Sequence, residues 1–181
     1  MAIVKSLICS AGYWSALTAP EQAVYTNTYA TLAEWMTACP DLTATSTLWE
    51  GHVSEEPISL AGNAVTIGGK NPSATAYVYL RSRPGKGFWD RAGVRTNPLR
   101  FDASKGASIT CTGIYAYAIY VTQPYTRFYG LQIAQTDGTT NAQSAVYSAQ
   151  QYTTFDSCII EGNTPTAGVL ELATGNCSVT R

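Results

Sequence analysis

The feature that most limits what this chain can fold into is a duplication. Ile119-Tyr120-Val121 returns as Val146-Tyr147-Ser148, Tyr125 as Tyr152, Arg127-Phe128 as Thr154-Phe155, and Leu131-Gln132-Ile133 as Cys158-Ile159-Ile160, all at one constant offset. A fainter third copy begins at Val169-Leu170-Glu171-Leu172, with Cys177-Ser178-Val179 standing for Thr153-Thr154-Phe155 at a slightly shorter offset. Each copy consists of short runs that alternate apolar and polar residues, separated by polar turns. A unit of this size cannot bury its own apolar face, so copies must stack, and strands of period two stack as the coils of a β-solenoid. Successive coils should then lie about 4.8 Å apart. Ile119, Val146 and Leu170 form one predicted inward ladder and Phe128, Phe155 and Val179 a second, with Tyr125 over Tyr152 at a corner.

The remaining chain fits around that solenoid in two parts. Residues 1–40 read as an N-terminal strand, Ile3–Cys9, followed by a capping or attachment helix. Residues 41–181 read as the parallel β-helix, with loop insertions in its first half. In the helix, Leu32, Trp35, Met36 and Cys39 recur at i, i+3, i+4 and i+7, Thr31 and Glu34 fit a capping box, and Pro40 ends the run. Such a helix is suited to covering the first coil, which would otherwise expose unpaired edge groups and an apolar end. In the first half of the solenoid, strands are predicted around Leu48–Val53, Ala64–Ile67 and Ala76–Arg81, and further strands at Leu99–Phe101 and Ala107–Cys111. Ser59-Leu-Ala-Gly-Asn63 reads as a turn. The last copy breaks off at Arg181, which predicts that something covers that edge: a partner subunit, a three-fold mate or further sequence.

Composition narrows the functional classes. Charged residues make up 13% of the 181, against roughly 25% in ordinary soluble domains. The net charge is −1 and no run of Lys or Arg occurs, so nucleic acid is not the expected partner. No apolar stretch approaches the roughly 20 residues of a membrane helix, and the apolar segment after Lys5 is too short for a signal peptide. Five cysteines show neither CxxC spacing nor a neighbouring His, so no metal or cofactor is expected. Cys158 takes the inward place of Leu131 and reads, with Cys111, as a buried thiol. The odd count leaves a thiol for a bond to a neighbouring chain, for which Cys9 and Cys39 are the candidates.

The segment Tyr29-Ala-Thr-Leu-Ala-Glu-Trp35 resembles the tyrosine–x–threonine–leucine–x–x–tryptophan opening of many bacteriophage and prophage β-helix proteins, and the stretch from Ala118 to Ile133 resembles the rung that follows it there. The resemblance covers about two thirds of the chain. It implies a right-handed parallel β-helix of the pectate-lyase-like kind, as in tailspikes and head spikes. It carries over no catalytic residue, because no motif of those enzymes is matched.

The expectation is therefore a mainly β, non-enzymatic virion protein, a head decoration or spike or the base of a tail fibre or tailspike. It would be a homotrimer among other virion proteins, assembled in the host cytoplasm and extracellular when mature. The alternative is a phage adhesin that binds or depolymerises host glycan, with Tyr and Trp as stacking surfaces for sugar rings. Glycan cleavage needs two carboxylates. Asp156 and Glu161, in one coil, are the only candidate pair among scattered acids, and the solitary His52 reads as structural. The one cationic, aromatic concentration supplies the candidate partner or glycan contacts, Arg83, Lys86, Phe88, Trp89 and Arg91.

Overall fold

The structure, a computed structural model, describes residues 1–60, 65–90, 100–112, 117–136, 144–162, 170–172 and 176–180. The chain opens with β1 (Ala2–Ile8), two short helices α1 (Ala11–Ala16) and α2 (Ala19–Gln22), and β2 (Asn27–Tyr29). Helices α3 (Leu32–Ala38) and α4 (Leu42–Thr45) lead into β3 (Thr47–Val53), β4 (Ile58–Leu60), β5 (Val65–Ile67) and β6 (Val78–Ser82). Then follow β7 (Ser108–Cys111), β8 (Ile119–Val121), β9 (Thr126–Tyr129), β10 (Gln132–Gln135), β11 (Val146–Ser148), β12 (Thr154–Asp156), β13 (Ile159–Gly162), β14 (Leu170–Leu172) and β15 (Ser178–Thr180).

All the pairings are parallel, and apart from β1 with β2 each joins a strand to its counterpart one coil away rather than to its neighbour in sequence. Three sheets result. Sheet A runs β15-β12-β9-β6-β3-β1-β2, sheet B β13-β10-β7-β4, and sheet C β14-β11-β8-β5. The chain visits A, B and C in turn four times, and the fold is a right-handed parallel β-helix, the hand that parallel crossovers take. The predicted ladders are in place: Ile119, Val146 and Leu170 pair in register, as do Phe128, Phe155 and Val179. Phe128 and Phe155 are fully buried and stack at 4.6 Å with their planes 3° apart, an arrangement worth about 0.5–1.5 kcal/mol beyond burial alone.

At its N-terminal end sheet A outruns the other two by two strands, β1 and β2, so there sheets B and C leave an open mouth. Helix α3 fills it. Thr31 caps its N-terminus by accepting from the Glu34 amide, and the Glu34 carboxylate accepts in return from the Thr31 amide, as the capping box predicts. The inward face, Leu32, Trp35 and Met36, joins the solenoid core, and Cys39 is buried beside it. Trp35 stacks on Trp49 at 6.4 Å and lies directly over Gly51, where a Cβ atom would come within 2.6 Å of the indole ring. Gly51 is thus the space that admits the plug.

Two readings of the sequence need correction. Ser59 and Leu60 belong to strand β4 and pair with Thr110 and Cys111, because so short a strand gives too little alternation to register against the glycine and asparagine that follow. Arg100 and Phe101 are not in a strand; Leu99 lies outside the described residues. They belong instead to the long β6–β7 connection, whose described residues 88 and 101–102 meet the outer face of sheet B. There Gln132 accepts from the Asp102 amide at 2.8 Å and donates to its carbonyl at 2.9 Å, and Phe88 and Phe101 cover Ile159.

Candidate functional site

Sheet A also has an outer face, and two rows of outward residues run along it parallel to the solenoid axis. One row is Lys5, Glu50, Tyr79, Arg127, Thr154 and Ser178; the other is Leu7, His52, Arg81, Tyr129 and Asp156. The C-terminal halves of both rows line an open groove of about 490 Å³. Its side wall is a corner at which Tyr125 and Tyr152 both adopt left-handed backbone, φ 52° and 59°, and Asn176 one coil on does the same at 62°. A non-glycine residue in that region costs roughly 1–2 kcal/mol. The repeated cost holds two phenol rings face to face, 4.7 Å apart and 7° from parallel, with Tyr152 40% exposed. Across the groove Arg127 lies 4.0 Å over the Tyr77 ring and donates to its hydroxyl at 3.1 Å. Arg81 lies between Tyr79 and Tyr129, 5.4 and 5.1 Å from their ring centres.

The groove therefore offers flat aromatic faces, the Arg127 guanidinium, a carboxylate acceptor in Asp156, and the hydroxyls of Thr154 and Ser178. These are the elements that hold a pyranose ring, with apolar C–H faces stacked on phenols and hydroxyls bonded at the rim. Asp156 is the groove's only carboxylate among the described residues. Glu161 stands on β13, in sheet B, and accepts from the Phe101 amide at 3.3 Å. The two candidate carboxylates thus lie on different sheets. No three His, Cys, Asp or Glu side chains gather as metal ligands among the described residues.

At the N-terminal end of the same face the outward rows are covered. Glu50 and His52 are 6% and 2% exposed. His52 Nε2 lies 2.7 Å from the Glu50 carboxylate and Nδ1 3.3 Å from the Tyr25 hydroxyl, and the His52 and Tyr25 rings meet edge to face at 5.3 Å. A neutral imidazole with its proton on Nε2 satisfies both contacts. Burial alone would push the Glu50 carboxyl up, but the bond from His52 and the Arg81 and Lys5 charges outweigh it and hold the pKa below the usual range. Beyond them Arg83 is clasped between the Tyr13 hydroxyl, at 2.7 Å, and Glu21. Burial works against its charge, yet those two partners raise its pKa overall. Tyr13 in turn donates to Glu55, which pairs with Lys86 at 2.9 Å.

The residues singled out from the sequence as contacts are thus distributed. Arg83 is buried in the clasp, Lys86 is half-exposed and ion-paired, and Phe88 packs into the cover of sheet B. Trp89 is 52% exposed, its indole N–H donating to the Ser157 carbonyl at 3.2 Å; Arg91 lies outside the described residues. Cys9 and Cys39 are buried thiols whose pKa values burial raises to about 11 and about 12. The groove tyrosines and the Glu50–His52–Tyr25 cluster do not stand out as a site in the sequence. The signal available is the outward alternation Tyr79, Arg81 and Arg127, Tyr129, but it becomes a surface only when β6 and β9, far apart in the chain, are set in register.

Comparison with protein-family models, with curated proteins and with solved structures returns no match. Among the described residues no helix is long and apolar enough to cross a membrane.

Proposed function

We propose that this chain is a non-enzymatic structural protein of a bacteriophage virion that recognises host-surface glycan along the outer face of sheet A. The observation that carries the reading is the groove, in which two stacked tyrosines in left-handed backbone and Arg127, seated on a tyrosine face, line the same surface as a single carboxylate among the described residues. Hydrolysis of a glycosidic bond calls for a second acid about 5–10 Å from the first. Binding needs only stacking faces and rim donors. The virion context rests on the resemblance of Tyr29–Trp35 to phage β-helix openings, and those residues build the plug: Thr31 caps α3 while Leu32 and Trp35 close the mouth of the solenoid. A trimer, with a mass three times 19.4 kDa in light scattering, is the expected assembly.

The test incubates the protein with capsular and lipopolysaccharide glycans of candidate hosts and follows both retention and chain length. Retention of intact polysaccharide supports the reading. Shortened chains would replace it with a depolymerase, and no retention on any glycan would remove the adhesive role.

A further inference from the structure

The segment between β1 and β2, residues 10–26, is built unlike the rest of the molecule. It holds two helices, α1 and α2, and not one of its residues is buried; Val24 is 50% exposed. Its side-chain attachments to the solenoid are hydrogen bonds, most of them to a charged group, and one ion pair. Ser10 donates from its amide and its hydroxyl to Glu56, each at 2.9 Å. Tyr13 bridges Arg83 and Glu55, Glu21 pairs with Arg83, and Tyr25 bonds His52. On this face Leu7 is fully buried, while Trp14 and Leu17 of the segment are only partly so; a segment with so little apolar burial opens locally at a fraction of the cost of global unfolding.

What it covers matters. Tyr25 sits on His52, and His52 is in register with Arg81, Tyr129 and Asp156, the same outward row that lines the groove. We propose that residues 10–26 form a strap, latched mainly by hydrogen bonds to charged groups and by the Glu21–Arg83 pair, that opens as a unit and uncovers the N-terminal rungs of that row. Opening lengthens the groove by two rungs, about 10 Å at the spacing of paired strands, and places the Glu50–His52 pair within reach of a longer ligand. The consequence for the ligand rests on the glycan-binding reading; the opening itself does not.

His52 is the only histidine in the chain and is 2% exposed, which gives a direct readout. The full-length protein is treated with diethyl pyrocarbonate and modification of His52 is timed by mass spectrometry, alongside amide exchange of β9 and β12. Arg83→Gln, which frees Glu21 and Tyr13 together, is expected to speed modification by about tenfold or more with β9 and β12 protection unchanged. Raising salt to about 1 M should speed it in the unaltered protein, which covers the case of a variant that does not fold. Equal rates under all conditions overturn the strap, as does acceleration that appears only together with loss of protection in β9 and β12. Because no sugar is involved, a groove that binds no glycan defeats the functional reading while leaving this result to stand or fall alone.

Discussion

At the scale of single residues, the decisive positions are those where backbone and side chain make unusual demands together. Gly130 and Ser157 occupy the same corner of successive coils with φ of 66° and 53°, and Tyr125, Tyr152 and Asn176 occupy another. Of these, Gly130 and to a lesser degree Asn176 announce themselves in the sequence, since tyrosine and serine seldom take left-handed backbone. The duplication shows that the two tyrosines are equivalent, and so the stack was legible; its strained geometry and its place on the rim of a groove were not. Gly51 is a similar case. Within an alternating strand it reads as a weak point, yet it is the space into which Trp35 fits. Gly51→Ala should displace the indole and lower stability by about 1–3 kcal/mol, seen in denaturant unfolding as a lower midpoint and in a red-shifted tryptophan emission. An unshifted midpoint would mean that the plug tolerates the methyl group and is not tightly seated.

At the scale of elements, α3 was readable because its signals are local: a capping box, an apolar stripe at helical spacing and a terminating proline follow one another closely in the chain. Thr31→Ala should therefore cost about 1 kcal/mol, measurable in urea, whereas Trp35→Ala should cost about 3–5 kcal/mol through the cavity it leaves. The strap was not readable: Thr18, Pro20 and Glu21 mark the start of α2 locally, but α1 and α2 are too short to show an apolar stripe and their partners Glu55 and Arg83 are distant in sequence. Its stability is accordingly tied to pH. Bonds from the amide and hydroxyl of Thr18 and from Arg83 lower the Glu21 pKa to about 2, and Glu55, although burial pushes it up, is drawn lower by Tyr13 and Lys86. A carboxylate with a depressed folded-state pKa contributes its full stabilisation above its unfolded value, near 4.5, and loses it as pH falls through the folded value. Amide protection of residues 13–26 is expected to fall between about pH 4.5 and pH 2 ahead of that of β9 and β12; simultaneous loss would show that the strap is part of one cooperative unit.

For the whole molecule, the repeat carried most of the architecture. Its two offsets suffice to set three C-terminal coils in register, ladder by ladder. The first coils were harder to trace because insertions stretch the spacing: Ile58 pairs with Ile109 and Val65 with Ile119, each across a far longer stretch of chain than the later coils span. Those insertions also decide which outer faces stay open. Among the described residues, Phe88 and Phe101 of one insertion cover part of sheet B and the strap covers the N-terminal end of sheet A, while the C-terminal half of sheet A lines an aromatic groove. Glycan binding in that groove is tested most directly by isothermal titration of a host oligosaccharide into the intact protein and into Tyr152→Ala. Tyr152 lies on the rim, 40% exposed, so its loss should lower stability by only about 1 kcal/mol through the lost stack on Tyr125 while weakening binding by about tenfold, in keeping with about 1–1.5 kcal/mol for one stacking face. Undiminished affinity in Tyr152→Ala would contradict binding at the tyrosine corner and place the glycan elsewhere on the molecule.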